Sequence, residues 1–183
     1  ALRDDSADLK GGGGDFDVGV DVGYSITPSL RAALTVNTDF AEADVDDRRV
    51  NLTRFPLQLP EQRQFFLEGS GVYSFAPASN VNPYFSRRIG LVEEEAVPIT
   101  YGARLGGQAG PYDVGLLQVR TAEREARPAE TFTVGRIRRN IFEQSSMGVI
   151  YTRRSTNVSS EGVSIPVRQT IGADLELTSS RFL

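Results

Sequence analysis

Between positions 15 and 26 the chain alternates strictly. Phe16, Val18, Val20, Val22, Tyr24 and Ile26 occupy every second place, and Asp15, Asp17, Gly19, Asp21, Gly23 and Ser25 fill the gaps. Period two over a dozen residues is the signature of a β-strand with two unlike faces. Thr27-Pro28-Ser29 then turns the chain, with proline fixing φ. A second strand follows, with Leu30, Ala32, Leu34, Val36, Thr38 and Phe40 against Arg31, Ala33, Thr35, Asn37 and Asp39. The rhythm returns where Ile99, Tyr101, Ala103, Leu105, Gly107 and Ala109 are expected to share one face. Gly110-Pro111 turns the chain, and Tyr112, Val114 and Leu116 resume that face. Weaker strands are predicted near 131–139, 146–154 and 167–178.

The connections carry as much information as the strands. Those at 27–29, 110–111 and 140–145 are short; those at 41–97, 122–130 and 155–166 are long. Tight turns at one end and longer loops at the other are a habit of outer-membrane barrels. Strands of about ten residues suit a tilted membrane crossing, whereas soluble strands average about five or six. The alternation requires 41–97 to contain an even number of membrane strands. The predicted fold is therefore all-β, antiparallel up-and-down hairpins forming a segment of an outer-membrane-type β-barrel, with glycine and aspartate facing a wet lumen. A soluble β-sandwich, whose strands also alternate, is the competing architecture. Residues 1–14, ending in Gly11-Gly12-Gly13-Gly14, read as a flexible polar lead-in. Residues 15–183 read as a partial barrel domain, with an irregular loop or lumen segment at about 42–97.

Composition narrows the chemistry. The 183 residues contain no cysteine and no histidine. Thiolate metal sites, cysteine nucleophiles and Ser-His-Asp catalysis are therefore outside the reach of this chain. The expectation is a non-enzyme with no cofactor, no metal and no catalytic residue. A net charge of -4 and an acidic pI argue against a nucleic-acid partner. A mean hydropathy of -0.26 excludes a bundle of membrane helices but not a barrel, in which only alternate residues must be apolar. No run of about 18 apolar residues exists, and the first residues do not form a signal peptide. The chain is expected to be part of something longer.

Four arginine pairs stand out: Arg48-Arg49, Arg87-Arg88, Arg138-Arg139 and Arg153-Arg154. Neighbours on a strand point to opposite faces, so a doublet is not one patch. Rim and lumen arginines paired with carboxylates are the simpler reading, and an anion-binding ladder the sharper one. Arg31 and Arg104 could line a cation lane in the lumen, or pair with Asp15, Asp17, Asp21 and Asp174. Asp39, Glu42, Asp44, Asp46 and Asp47 lack the glycine and spaced glutamate of a calcium loop and read as a solvated rim. Glu93-Glu94-Glu95 reads as a solvated loop. Phe16, Tyr24, Phe40, Tyr101, Tyr112, Phe132 and Tyr151 are expected to share the apolar face mostly, as an interfacial girdle or a core.

Positions 42–97 break the rhythm. Within 55–69 two prolines, Pro56 and Pro60, cannot donate to a ladder. Charges and aromatics cluster around them, and Glu61, Arg63 and Glu68 are expected to pair with one another or with Arg54 and Arg87. Asn37-Thr38-Asp39-Phe40-Ala41, Val50-Asn51-Leu52-Thr53-Arg54-Phe55-Pro56-Leu57, Pro60-Glu61-Gln62-Arg63-Gln64-Phe65-Phe66-Leu67-Glu68-Gly69 and Phe85-Ser86-Arg87-Arg88-Ile89-Gly90 resemble an uncharacterised family of large bacterial outer-membrane barrels. In that family a domain similar to family-nine carbohydrate-binding modules often precedes the barrel. The resemblance runs over about 15–183 and departs from the pattern at Gln58-Leu59, where the family tends to have aromatics. It implies an outer-membrane location, a lipid partner, and carbohydrate only through a domain that this sequence lacks. The structural motif it marks is Arg54, Phe55, Pro56, Pro60, Glu61, Arg63, Phe65, Phe66, Glu68, Gly69, Arg87 and Arg88. The role expected is transport, surface binding or scaffold; the alternative is a soluble β-sandwich binding module of a carbohydrate-handling protein.

Overall fold

A computed structural model describes residues 19–38, 60–77, 79, 81–92, 95–123, 128–142, 145–156 and 166–178. Its main body is one seven-stranded antiparallel sheet. The strands are β1 (Val20–Thr27), β2 (Leu30–Thr38), β5 (Ile99–Ala109), β6 (Tyr112–Thr121), β7 (Glu130–Phe142), β8 (Ser145–Thr156) and β9 (Arg168–Glu176). They follow one another in chain order as β1-β2-β5-β6-β7-β8-β9, each paired antiparallel with the next. The sheet is not closed: β1 and β9 are its edges.

Among the described residues the 39–98 connection places no strand between β2 and β5, which pair directly. That connection holds a one-turn helix α1 (Gln64–Leu67), 3₁₀ turns at Ser70–Tyr73 and Ser86–Arg88, and a separate pair of two-residue strands, β3 (Leu91–Val92) and β4 (Glu95–Ala96). No helix among the described residues is long and apolar enough to cross a membrane, which leaves a strand-crossing fold untouched.

The strands are long because alternation runs through most of each, broken by register shifts only near strand ends, and the tight turns fall where Pro28 and Gly110-Pro111 place them. Gly110 adopts φ 59°, which glycine reaches without strain. The ladders put like residues in line. One hydrogen-bonding row runs Tyr24, Ala32, Leu105, Leu116, Gly135, Tyr151, Ile171 across all seven strands. The next runs Leu30, Gly107, Val114, Ile137, Val149, Ala173. The first row is apolar but for the phenols of Tyr24 and Tyr151, and the second is apolar from Leu30 onward, with Thr27 of β1 at its end. This apolar face is open: Leu34 is 55% exposed, Val149 52% and Ile171 75%.

The opposite face carries the core. Phe65, Phe66, Tyr73 and Ile89 from the long connection pack with Ile99, Leu117, Val119, Phe132 and Val134 of the sheet. The inner side is thus largely dry under β5–β7, not simply wet as the glycines and aspartates suggested. Two expectations about facing change. Asn37 takes φ 52°, and the β5–β6 register slips between Ile99 and Tyr101. A bulge of this kind re-aims the neighbouring side chain, and Ile99 turns from the apolar row into the buried core. Phe132 is also inward and buried, apart from Tyr24, Tyr101, Tyr112 and Tyr151.

Candidate functional site

Segment 60–76 lies against the inner wall, and three kinds of contact hold it there. The first is ionic. Arg63 is almost fully buried, and all three of its guanidinium nitrogens donate hydrogen bonds. Its Nε donates to Glu61 Oε1 at 2.8 Å and one terminal nitrogen to Glu61 Oε2 at 2.8 Å. The terminal nitrogens also reach the carbonyls of Ile89 at 2.6 Å and Ser86 at 2.9 Å. Burial pulls the Glu61 carboxyl up, but the Arg63 and Ser86 hydrogen bonds and the guanidinium charge outweigh it, so the net shift is downward. Glu68 reaches further. Its carboxylate bridges Arg31 on β2 and Arg104 on β5, while Arg104 also donates to the carbonyls of Phe65 (2.9 Å) and Glu68. At the far end Arg136, fully buried on β7, meets Asp174 on β9 at 2.5 and 2.7 Å, and Asp174 accepts from the Ala76 backbone N–H at 3.3 Å.

The second kind of contact is steric. Rings from the segment lie over glycines on the inner face. A Cβ on Gly102 would stand 2.9 Å from Phe65 Cζ, one on Gly115 2.8 Å from Tyr73 Cε1, and one on Gly172 2.8 Å from Phe75 Cζ. Real Cβ atoms do not approach so closely, so these positions admit only glycine while the rings stay in place. The third is cation–π. Arg63 sits 4.2 Å over Phe66, Arg104 5.5 Å over Phe65 and Arg136 5.5 Å over Phe75. Gly69 makes the bend between α1 and the following 3₁₀ turn with φ 69°. The wall thus meets the segment with guanidinium and glycine in alternation.

Among the described residues, two groups in this cluster lack a hydrogen-bond partner: the Tyr73 hydroxyl and Arg136 Nε. Burial pushes the Tyr73 phenol up to about 12 against the pull of the Arg104 cation, and burial raises Tyr84, whose ring lies tilted 5.0 Å away, as well. Among the described residues no group of three or more acidic side chains is placed to hold a metal ion. The arrangement offers fixed charge and packing rather than a reactive group.

The structure brings together most of the residues that the sequence marked. Pro60, Glu61, Arg63, Phe65, Phe66, Glu68 and Gly69 form the segment. Arg87 anchors it, donating to the Pro60 carbonyl at 2.8 Å, and Arg88 is exposed on the same 3₁₀ turn. Arg54, Phe55 and Pro56 lie outside the described residues, as do Asp39, Glu42, Asp44, Asp46 and Asp47. Glu61 and Arg63 do pair, but Glu68 turns to Arg31 and Arg104 rather than to a neighbour in sequence. Asp174 pairs with Arg136, not with Arg31 or Arg104. Two further inward arginines are also paired: Arg138 with Asp113 at 2.8 Å and Arg154 with Glu130 at 2.6 Å. Sequence reasoning missed the ring-on-glycine contacts. Their only signal was a recurring glycine on the inner face of successive strands, opposite a segment rich in aromatics.

Compared with known proteins, the chain matches one family model over residues 6–102, described as a domain of unknown function (DUF5916). No curated protein and no solved structure matches it.

Proposed function

The chain belongs to the DUF5916 family, and from that premise we propose that it is a length of outer-membrane β-barrel wall. In this reading it has a scaffold or surface role, contacts lipid through its open apolar face and performs no catalysis. The observation that carries this reading is the open face itself. Val20, Val22, Tyr24, Leu34, Val36, Leu116, Ile137, Met147, Val149, Ile171 and Leu175 are all exposed on one side of one sheet. A monomer in water rarely leaves so continuous an apolar surface uncovered, and among the described strands the only other sheet is the pair of two-residue strands β3 and β4. That last point weighs against the sandwich alternative.

Other features support it. The seven strands run from 8 to 13 residues, around the roughly 9–11 that a tilted membrane strand needs. Pro28-Ser29 and Gly110-Pro111 turn the chain at one end, while 39–98, 122–129 and 157–167 connect strands at the other. The tyrosines sit near the borders of the band: Tyr101 and Tyr151 toward the long connections, Tyr24 and Tyr112 toward the turns. Membrane barrels carry aromatic girdles at such borders.

The band also drifts. On β1 and β2 it spans the rows of Val20–Val36 to Leu30, on β8 and β9 those of Tyr151–Ile171 to Met147–Leu175. At strand spacings this is a slant of roughly 25°. A level lipid belt crosses the rows of tilted strands obliquely in this way. The filled inner face favours a scaffold over a wide pore, because segment 60–76 occupies the wall where a lumen would otherwise be lined.

Fractionation tests the reading. The protein is expected to remain with membranes after alkaline carbonate extraction and to need detergent for purification. Recovery as a monodisperse protein in detergent-free buffer would overturn it.

A further inference from the structure

The inward arginines described above all meet carboxylates; among the described residues the outward Arg120, Arg139 and Arg153 do not, and Arg139 alone of these has a ring partner. Arg120 on β6 and Arg153 on β8 point to the same side as the apolar band, at its border toward the long connections. Neither makes an ion pair or side-chain hydrogen bond among the described residues. Arg120 lies two steps of the alternation beyond Leu116 with Gln118 between, and Arg153 follows the outward Tyr151 by one step. The ladder sets hydroxyls between them: Thr131 pairs with Arg120, and Thr133 pairs with Arg153 on one side and Gln118 on the other. Gln169 flanks Arg153 from β9. Two strands and one row separate the two arginine Cα atoms, or about 12 Å at standard spacings. Among the described strands no carboxylate shares this outward patch: Glu130, next to Thr131 on β7, faces inward and is held by Arg154.

We propose that Arg120, Thr131, Thr133 and Arg153 form a binding surface for the phosphate-bearing headgroup of an anionic lipid whose acyl chains lie along the apolar band. The proposal rests on the lipid-facing reading of that band. Its own argument is charge and place. Unpaired guanidinium groups at the edge of a greasy belt stand at headgroup depth, and their planar fork matches a phosphate's oxygens. Their aliphatic stems can lie over apolar surface while the heads stay in the polar layer. The opposite border differs, for its outward arginine, Arg139, is placed 5.5 Å over the Tyr112 ring.

The test uses the full-length protein reconstituted in vesicles of equal parts phosphatidylcholine and phosphatidylglycerol. Trace spin-labelled phosphatidylcholine or phosphatidylglycerol reports the fraction of lipid immobilised at the protein surface. The wild type is expected to immobilise both lipids, with a severalfold preference for phosphatidylglycerol. The double variant Arg120→Gln/Arg153→Gln should fall to parity while still immobilising phosphatidylcholine, which also serves as its folding control; Arg139→Gln should keep the preference. Equal immobilisation of both lipids by the wild type overturns the headgroup site and leaves the lipid-facing band intact. So does a preference that survives the double variant, or one abolished by Arg139→Gln alone. Immobilisation of neither lipid overturns the lipid-facing reading itself, and the headgroup site with it.

Discussion

The two faces of this sheet are built from the same strands and obey opposite rules. On the inner face every contact is specific. Arg104 and Arg136 are each held by a carboxylate from a distant part of the chain, and Phe65, Tyr73 and Phe75 each lie over a glycine. On the outer face, among the described residues, the central band is apolar, exposed and varied in size, with polar side chains only at its borders. The inner face is a fitted joint, where shape and charge both matter; the outer face is a solvent-facing surface whose solvent is proposed to be lipid, where only polarity matters. Substitutions should therefore fail for different reasons on the two sides.

The largest effect is expected on the inner side. Arg63→Ala strands the Glu61 carboxylate and the carbonyls of Ile89 and Ser86 and removes the stack on Phe66. Breaking a buried pair from one side costs about 3–5 kcal/mol, to be read from reversible denaturant unfolding in detergent. Leu34→Arg probes the outer side. A cation at lipid mid-depth in a barrel costs about 2–4 kcal/mol, so the variant should insert poorly. A loss near zero would mean that Leu34 faces water and that the contrast between the faces is wrong. Gly115→Ala comes next. Its Cβ would press on Tyr73 and Val72, and overpacking of this kind costs about 1–3 kcal/mol. The same change at the outward Gly135, where the nearest atom is Leu116 Cδ2 at 3.6 Å, should be tolerated.

The smallest effect is a pH dependence. The folded state lowers the Glu61 pKa below its ordinary 4.5. Such a group adds stability above that value and loses it progressively as the pH falls through 4.5 and below. Glu61→Gln should flatten that acid limb of the stability profile and leave neutral-pH oligomeric state and fold unchanged.

The strands were legible in the sequence because each one writes its own two faces into a local alternation. Val20 to Ile26 needs no partner to be read as a strand, and neither do the turns at Pro28 and Gly110-Pro111. The connections at 39–98 and 157–167 were legible for the same reason, as breaks in a period. What escaped was everything set by distance along the chain. Glu68 meets Arg104 across 36 residues and Asp174 meets the Ala76 N–H across 98, and no local rule ranks those partners above nearer ones. Ile99 and Phe132 escaped for different reasons. Ile99 obeys the alternation until a bulge reverses it, and Phe132 is an aromatic whose burial inside or in lipid looks the same in one dimension. The glycines were read as small lumen residues; they are instead the floors on which rings rest.

The chain has no tryptophan, so a single one introduced at will reports only on its own surroundings. Leu34→Trp, Val149→Trp and Thr170→Trp place an indole at two outward positions and one exposed inward position of the same wall. In vesicles of brominated phosphatidylcholine, the fluorescence of the first two should be strongly quenched and that of the third left largely intact. Equal quenching at all three positions, or none at Leu34 and Val149, would contradict a sheet with one face to lipid and one to its own folded segment.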